Sequence, residues 1–218
     1  MTQERPPLDP HPLSEYVAWA GKRNRDPLLG VLKEKLPKDP GRVLEMASGS
    51  GMHINYFAPH FDHLHFHPSD KDVEVFDNIK KLKIDHSNDN IADPAHLDLT
   101  NPQTWFNPGP PKSFDVIFCI NIFQVAPISI ADGMMECASH LLTDDGFLLI
   151  YGPFKIEGTF TTDTNKEFHD TLSSAGVPEW GLKDVADLKS AAERHGMELK
   201  EQIDMPANNF SLIFGRKC

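Results

Sequence analysis

The sequence predicts an α/β fold, a doubly wound and mostly parallel sheet of seven strands that closes with a C-terminal antiparallel hairpin. Three observations predict it. Between residues 42 and 152, short apolar runs alternate five times with helical segments, the pattern of a parallel sheet covered on both faces. The first apolar run leads into a cluster of small residues, "MASGSG", as in loops that hold a ligand at the carboxyl end of a first strand. Near the end, "MELKEQIDMP" and "NNFSLIFGRK" read as two strands joined by "PANN", where Asn208 and Asn209 tolerate left-handed turn geometry.

Two units are expected: an N-terminal helical segment, 1–41, capping the cleft, and one α/β domain, 42–218. Residues 1–12 are Pro-rich and read as loose. "LSEYVAWAGKRN" reads as a short helix. A second helix follows in "RDPLLGVLKEKLP", with Asp26 as cap, Pro27 in the first turn, and Leu28, Val31, Leu32 and Leu36 at helical spacing. The expected strands are 42–47, 63–67, 94–99, 114–123 and 147–152. The expected helices begin at Gly51, at Asp70 with Val73, Phe76, Ile79 and Leu82 on one side, at Pro127 and near Asp163. A last helix, in "LKDVADLKSAAERHG", carries Leu182, Val185, Leu188, Ala192 and His195 on one face.

The chain has 218 residues and a formal net charge of −11. That balance argues against a nucleic-acid partner, because neutralising phosphates drives such affinity. The dense basic patch Lys80, Lys81 and Lys83 reads as a solvated helix face. Three cysteines, Cys119, Cys137 and Cys218, form no disulfide framework or zinc spacing, and Cys119 sits in the apolar "VIFCINIF". With neither an apolar leader nor an apolar run of ~20 residues, a cytoplasmic chain without a membrane partner is expected. A monomer is expected, and no metal. His63, His65 and His67 alternate along a strand, which invites a metal reading, but a half-buried strand accounts for them.

The small-residue loop admits two readings. As a dinucleotide fingerprint, Gly49 and Gly51 would be its first two glycines, but the third falls on Ile54, too large for close helix–strand contact. A pyrophosphate would also meet Glu45, with no basic residue nearby. As an acidic-residue-plus-glycine loop, "EMASGSG" suits S-adenosyl-L-methionine. Glu45 would face the ammonium, and the N–H groups around Ala47, Ser48, Gly49 and Gly51 would take the carboxylate. Asp70, 19 residues after Gly51, is placed for the ribose hydroxyls, and Asp98 with Leu99 for adenine. Each acid alone also reads as a helix cap.

The segments "VLEMASGSGMH", "HPSDKD", "LDLT", "CINIFQVAP", "LLTDDGFLLIYGPF", "TNKEF", "WGLKDV" and "MPANN", with "RNRDPLLGVL" ahead of them, resemble the methyltransferase-like protein 26 family. The resemblance runs from about Arg23 to Lys217. It implies a class I, Rossmann-like, S-adenosylmethionine-dependent methyltransferase fold and leaves the acceptor open.

Methyl transfer needs alignment of a nucleophile and exclusion of water, and a general base only if the nucleophile arrives protonated. Asn121, at the end of the fourth strand, is a candidate for orienting cofactor or substrate, or a strand-end residue bonding local backbone. "NIFQ" lacks the two prolines of the amine-methylase motif it resembles. Tyr151 and His169 are the other catalytic candidates, with core packing the alternative for Tyr151. Arg23, Asn24, Asn165 and Asn208 are candidates for contacting substrate. The expected function is a methyltransferase for a small-molecule or protein acceptor. The alternatives are a non-catalytic binding module and an NAD-dependent oxidoreductase, the latter disfavoured because "YGPFK" cannot form the helix of a Tyr-x-x-x-Lys pair.

Overall fold

A computed structural model describes residues 5–217. Its first regular element is one helix, α1 (Glu15–Lys35), capped by the Ser14 hydroxyl, which accepts from the Val17 N–H. The two short helices expected here are one. Pro27 lies inside it, and Asp26 caps nothing; its carboxylate instead accepts from the Tyr56 hydroxyl. An internal proline costs about 3 kcal/mol. Burial of Leu28, Leu29 and Leu32 just after it offsets that cost, at about 1.5–3 kcal/mol for each fully buried leucine.

The sheet consists of β1 (Gly41–Met46), β2 (Leu64–Asp70), β3 (Ala95–His96), β4 (Phe114–Ile120), β5 (Leu142–Gly152), β6 (Met197–Met205) and β7 (Asn209–Arg216). Their order is β3-β2-β1-β4-β5-β7-β6, with β7 antiparallel to both neighbours and the other pairings parallel. The remaining helices are α2 (Met52–Phe57), α3 (Phe76–Asp85), α4 (Ile130–Leu141), α5 (Asp163–Ser173) and α6 (Val185–Arg194). The central strands are apolar on both faces, so alternate residues feed two cores. Leu44, Ile117, Cys119, Leu148 and Ile150 pack with α4 and α6. Val43, Val116, Phe118, Leu149 and Tyr151 pack with α1 and α2.

Several boundaries depart from the sequence reading. The third strand shrinks to two residues, because "LDLT" turns away through hydrogen bonds to the Asp98 side chain. β2 runs on to Asp70, and His63 falls outside it, bonded to the Pro37 carbonyl. His67 packs edge-on against Phe114 beside Arg42, and burial lowers its pKa to about 4. Val73 is exposed and Val75 is buried in its place, since α3 starts only at Phe76 after a 3-10 turn. In the hairpin, the left-handed residues are Ala207 and Asn208, whereas Asn209 is extended. β6 carries a register shift between Leu199 and Glu201.

Residues 5–12, expected to be loose, have no regular structure but lie against the carboxyl edge of the sheet, where Leu8, Pro10 and Pro12 line a cavity.

Candidate functional site

β1 and β4 are neighbours, and the chain leaves them in opposite directions across the sheet. A crevice forms beyond the carboxyl ends of such strands. Here it is a cavity of about 1020 Å³, roofed by α1, α5 and residues 5–12. It reaches the upper end of the size range of single small-molecule sites.

The loop after β1 forms one wall. Ala47, Ser48, Gly49 and Ser50 line it, and both Ala47 (φ 55°) and Gly49 (φ 53°) are left-handed. The Gly49 N–H donates to Asp70 Oδ2 at 2.8 Å, and the Gly51 N–H donates to the Ser48 carbonyl at 2.9 Å. Both are thus engaged inside the protein, contrary to the expectation that they stand ready for a ligand carboxylate. Gly51 does not line the cavity. Its φ is 75°, and an added Cβ would lie 2.8 Å from Ile79 Cγ1, so this glycine lets α2 pack on α3.

Glu45 lies beneath the loop, buried, and its Oε2 has no hydrogen-bond partner. Burial raises its pKa to about 8; the Ser48 hydroxyl opposes the rise and the Asp70 charge adds to it. Glu45 itself does not line the cavity. Asp70, also buried, uses its other oxygen to accept from the Asp72 N–H. Asp98 accepts from the Thr100 N–H at 2.8 Å and hydroxyl at 2.7 Å. These bonds, the backbone one foremost, hold its carboxyl below the usual range. Asp70, Asp98 and Leu99 line the cavity together with the loop.

Asn121 follows β4 with φ 57°, its N–H bonded to the Tyr151 carbonyl at 2.8 Å. Asparagine tolerates this region better than other branched or bulky residues, and strain of this kind concentrates at functional sites. Its side chain lies near Gly152, beside Gln124. Tyr151 is almost fully buried, and desolvation pushes its phenol up to about 12, with Arg23 opposing. It can donate a hydrogen bond at neutral pH but is no base.

Asn165 donates to the Thr161 hydroxyl and to the Asn208 carbonyl, both at 3.0 Å, tying α5 to the hairpin turn. Asn24 Oδ1 pairs with His53 Nε2 at 2.7 Å, joining α1 to α2. Arg23, Asn24, Asn165 and Asn208 all line the cavity. His169 does not. Its Nδ1 accepts from the Leu182 N–H and its ring packs on Phe160, which corrects its candidacy as a base.

Sequence reading missed much of the wall: Tyr16 and Trp19 on α1, His53 on α2, Gln124 after β4 and Phe168 on α5. Tyr16, Trp19 and Arg23 recur at helical spacing, the one signal that could have marked them as one face. Among the described residues no helix is long and apolar enough to cross a membrane, and no cluster of three metal-ligating side chains occurs.

Solved structures share this architecture, and three illustrate the likeness. CalO1, a methyltransferase in calicheamicin biosynthesis solved in its SAH-bound form, matches with TM-score 0.74 and 14% identity over 93% of this chain and 56% of its own. An O-methyltransferase family protein from Burkholderia thailandensis matches with TM-score 0.74 and 14% identity, over 93% of this chain and 60% of its own. PH0226 from Pyrococcus horikoshii OT3 matches with TM-score 0.68 and 12% identity, over 94% and 93%. The chain spans a little over half the length of the first two. At such identities the likeness is one of fold, and the fold is that of the class I methyltransferases. By sequence, residues 15–216 match the model of the family described as "Protein of unknown function (DUF938)", and the chain belongs to that family.

Proposed function

We propose that the chain binds S-adenosylmethionine and transfers its methyl group to a small molecule enclosed in the same cavity. The observation that carries this reading is the convergence of Asp70, Asp98 and the loop after β1 on one wall, with the buried, unpartnered Glu45 oxygen beneath them. That donor set fits a ligand that is cationic at one end and hydroxylated in the middle. Asp70 would accept the ribose hydroxyls, Asp98 the adenine amine with Leu99 alongside, and Glu45 the ammonium. Three methyltransferases of similar fold support the class of reaction: CalO1, SibL and the mitomycin 7-O-methyltransferase MmcR.

When bound, the cofactor supplies an electrophilic methyl group on its sulfonium. The protein's part is to align the acceptor and exclude water. Residues 5–12, α1 and α5 enclose the cavity, and the 1–41 segment acts as its cap over the 42–218 domain. Asn121 and the neutral Tyr151 phenol stand at the ends of β4 and β5 to orient the acceptor. No side chain there is poised as a strong base, which suits an acceptor that arrives with a free lone pair or ionises readily. We also assign the chain to the methyltransferase-like protein 26 group that its motifs resemble, acting in the cytoplasm.

Calorimetric titration of the purified chain with S-adenosylmethionine, S-adenosylhomocysteine and NADH tests this. The expected result is micromolar binding of both sulfur compounds, lost in Asp70→Ala and Glu45→Ala, and none of NADH. Absence of binding by either sulfur compound overturns it, and preferred binding of NADH replaces it with the oxidoreductase reading.

A further inference from the structure

The cavity lining carries both signs of charge. Asp70, Lys71 and Asp98 line it at or just beyond the ends of β2 and β3, whereas Arg23 on α1 and Arg5 ahead of that helix line it with Glu167 of α5. The chain carries 32 acidic residues against 21 lysines and arginines, so a carboxylate is often within reach of a cation. Lys35, Lys81, Lys112, Lys166 and Arg194 each hold a carboxylate within ion-pair distance. Among the described residues neither Arg23 nor Arg5 does, although Glu167 lines the same cavity.

Both guanidinium groups lie over aromatic rings instead. Arg23 Cζ is 4.6 Å from the centre of the Trp19 ring, and Arg5 Cζ is 5.6 Å from that of Tyr16 and 5.7 Å from that of Phe168. Stacking of this kind fixes the plane of a guanidinium and leaves its edge N–H groups to hydrogen-bond in that plane; Arg5 directs part of its edge to the Tyr16 side chain. The Arg23 charge also acts on Tyr151, at the end of β5, where it opposes the rise that burial causes. In the strand order β1-β4-β5 that end lies two strand spacings, roughly 10 Å, from β1 and its loop. The charge of Arg23 thus falls on the acceptor side of the cavity.

We infer that the acceptor is a planar, aromatic molecule bearing a carboxylate. Arg23, supported by Arg5, grips the carboxylate, and Tyr16, Trp19 and Phe168 form the walls for the ring. This rests on the methyltransferase reading for the word acceptor, but the anion site stands on its own geometry. A carboxylate matches the fork of one guanidinium with two parallel hydrogen bonds. The amide isostere offers one oxygen and a repelling NH₂, so it is rejected.

The test uses the full chain saturated with S-adenosylhomocysteine, titrated calorimetrically with 3-hydroxy-2-naphthoate and with 3-hydroxy-2-naphthamide. The naphthoate is expected to bind at least tenfold more tightly at low salt. In Arg23→Gln the gap should shrink to within twofold while S-adenosylhomocysteine affinity stays within twofold. Trp19→Ala should weaken both naphthalenes alike. Equal binding of acid and amide overturns the inference, as does failure of the naphthoate to bind. If Arg23→Gln keeps the gap but loses S-adenosylhomocysteine, Arg23 serves the carboxylate of the cofactor and the inference falls. If S-adenosylhomocysteine does not bind at all, the methyltransferase reading fails. The same pair, titrated into the unliganded chain, then decides the anion site by itself.

Discussion

The main-chain N–H of Gly49 is bound at 2.8 Å by the carboxylate of Asp70, so the loop after β1 is held by the end of β2 before any ligand arrives. Asp70 also takes the Asp72 N–H, so one buried side chain sets the shape of two turns. Such preorganisation lets the loop meet a ligand without first losing conformational freedom.

Asp70→Asn puts an NH₂ against one of these two N–H groups. We expect a loss of about 1–3 kcal/mol of stability, the cost of an unsatisfied buried donor. S-adenosylhomocysteine affinity should fall at least tenfold. Urea unfolding and calorimetry on the same preparation measure both. Unchanged affinity would remove Asp70 from the site.

Glu45 gives the ligand-free protein a distinctive pH dependence. Its folded pKa of about 8 lies above the ordinary 4.5, so the folded state keeps a proton that the unfolded chain releases. Its contribution is fully present below pH 4.5 and is lost as pH rises through 8. Glu45→Gln removes this slope. Relative to wild type, the variant should gain on the order of 3 kcal/mol between pH 5 and pH 8.5. Parallel unfolding curves at the two pH values check it.

His53 works in the opposite direction. Burial, with Arg25 nearby, lowers its pKa from 6.5 to about 4. The neutral ring paired with Asn24 contributes stability that is present above pH 6.5 and lost as pH falls through 4. His53→Gln keeps a donor for Asn24 and should flatten this acid limb by about 1–2 kcal/mol, since the ring borders the cavity and keeps part of its hydration. Thermal melts from pH 4 to 7 report it.

Gly51→Ala meets Ile79 Cγ1 at 2.8 Å and Ile79 Cα at 3.2 Å, on a backbone of φ 75°. Overpacking and strain together should cost about 2–4 kcal/mol. Gly21→Ala is the contrast. Its Cβ meets only side-chain atoms of Met52 and His53, with Met52 Cε nearest, and flexible atoms can move. That variant should unfold close to wild type yet alter ligand affinity, because Met52 lines the cavity.

Much of this architecture is legible in the chain. The five strand–helix alternations and the terminal hairpin announce themselves by period and by turn residues, because buried parallel strands need long apolar runs. Asp70 reads as a strand-end acid and ends β2, whereas Asp98 lies two residues beyond the short β3. Tertiary contacts hide the rest. Pro27 looks like a helix start, but burial on both sides of it carries α1 through. Gly51 looks like part of a ligand loop, yet the atom it avoids belongs to Ile79, 28 residues on. His169 has the chemistry of a base, and only the fold turns it towards Leu182. Residues 5–12 carry no periodic signal at all, since their order comes from the cavity they lie on.

The sheet ends in two unlike borders, and both resist growth. On one side, β3 offers two residues of backbone, too few to template a further strand. On the other, β6 breaks register after Leu199 and exposes Lys200, Glu201 and Gln202 in succession. An incoming strand would meet charge and a broken ladder. A chain whose central strands are apolar on both faces is thereby guarded against stacking edge to edge at high concentration.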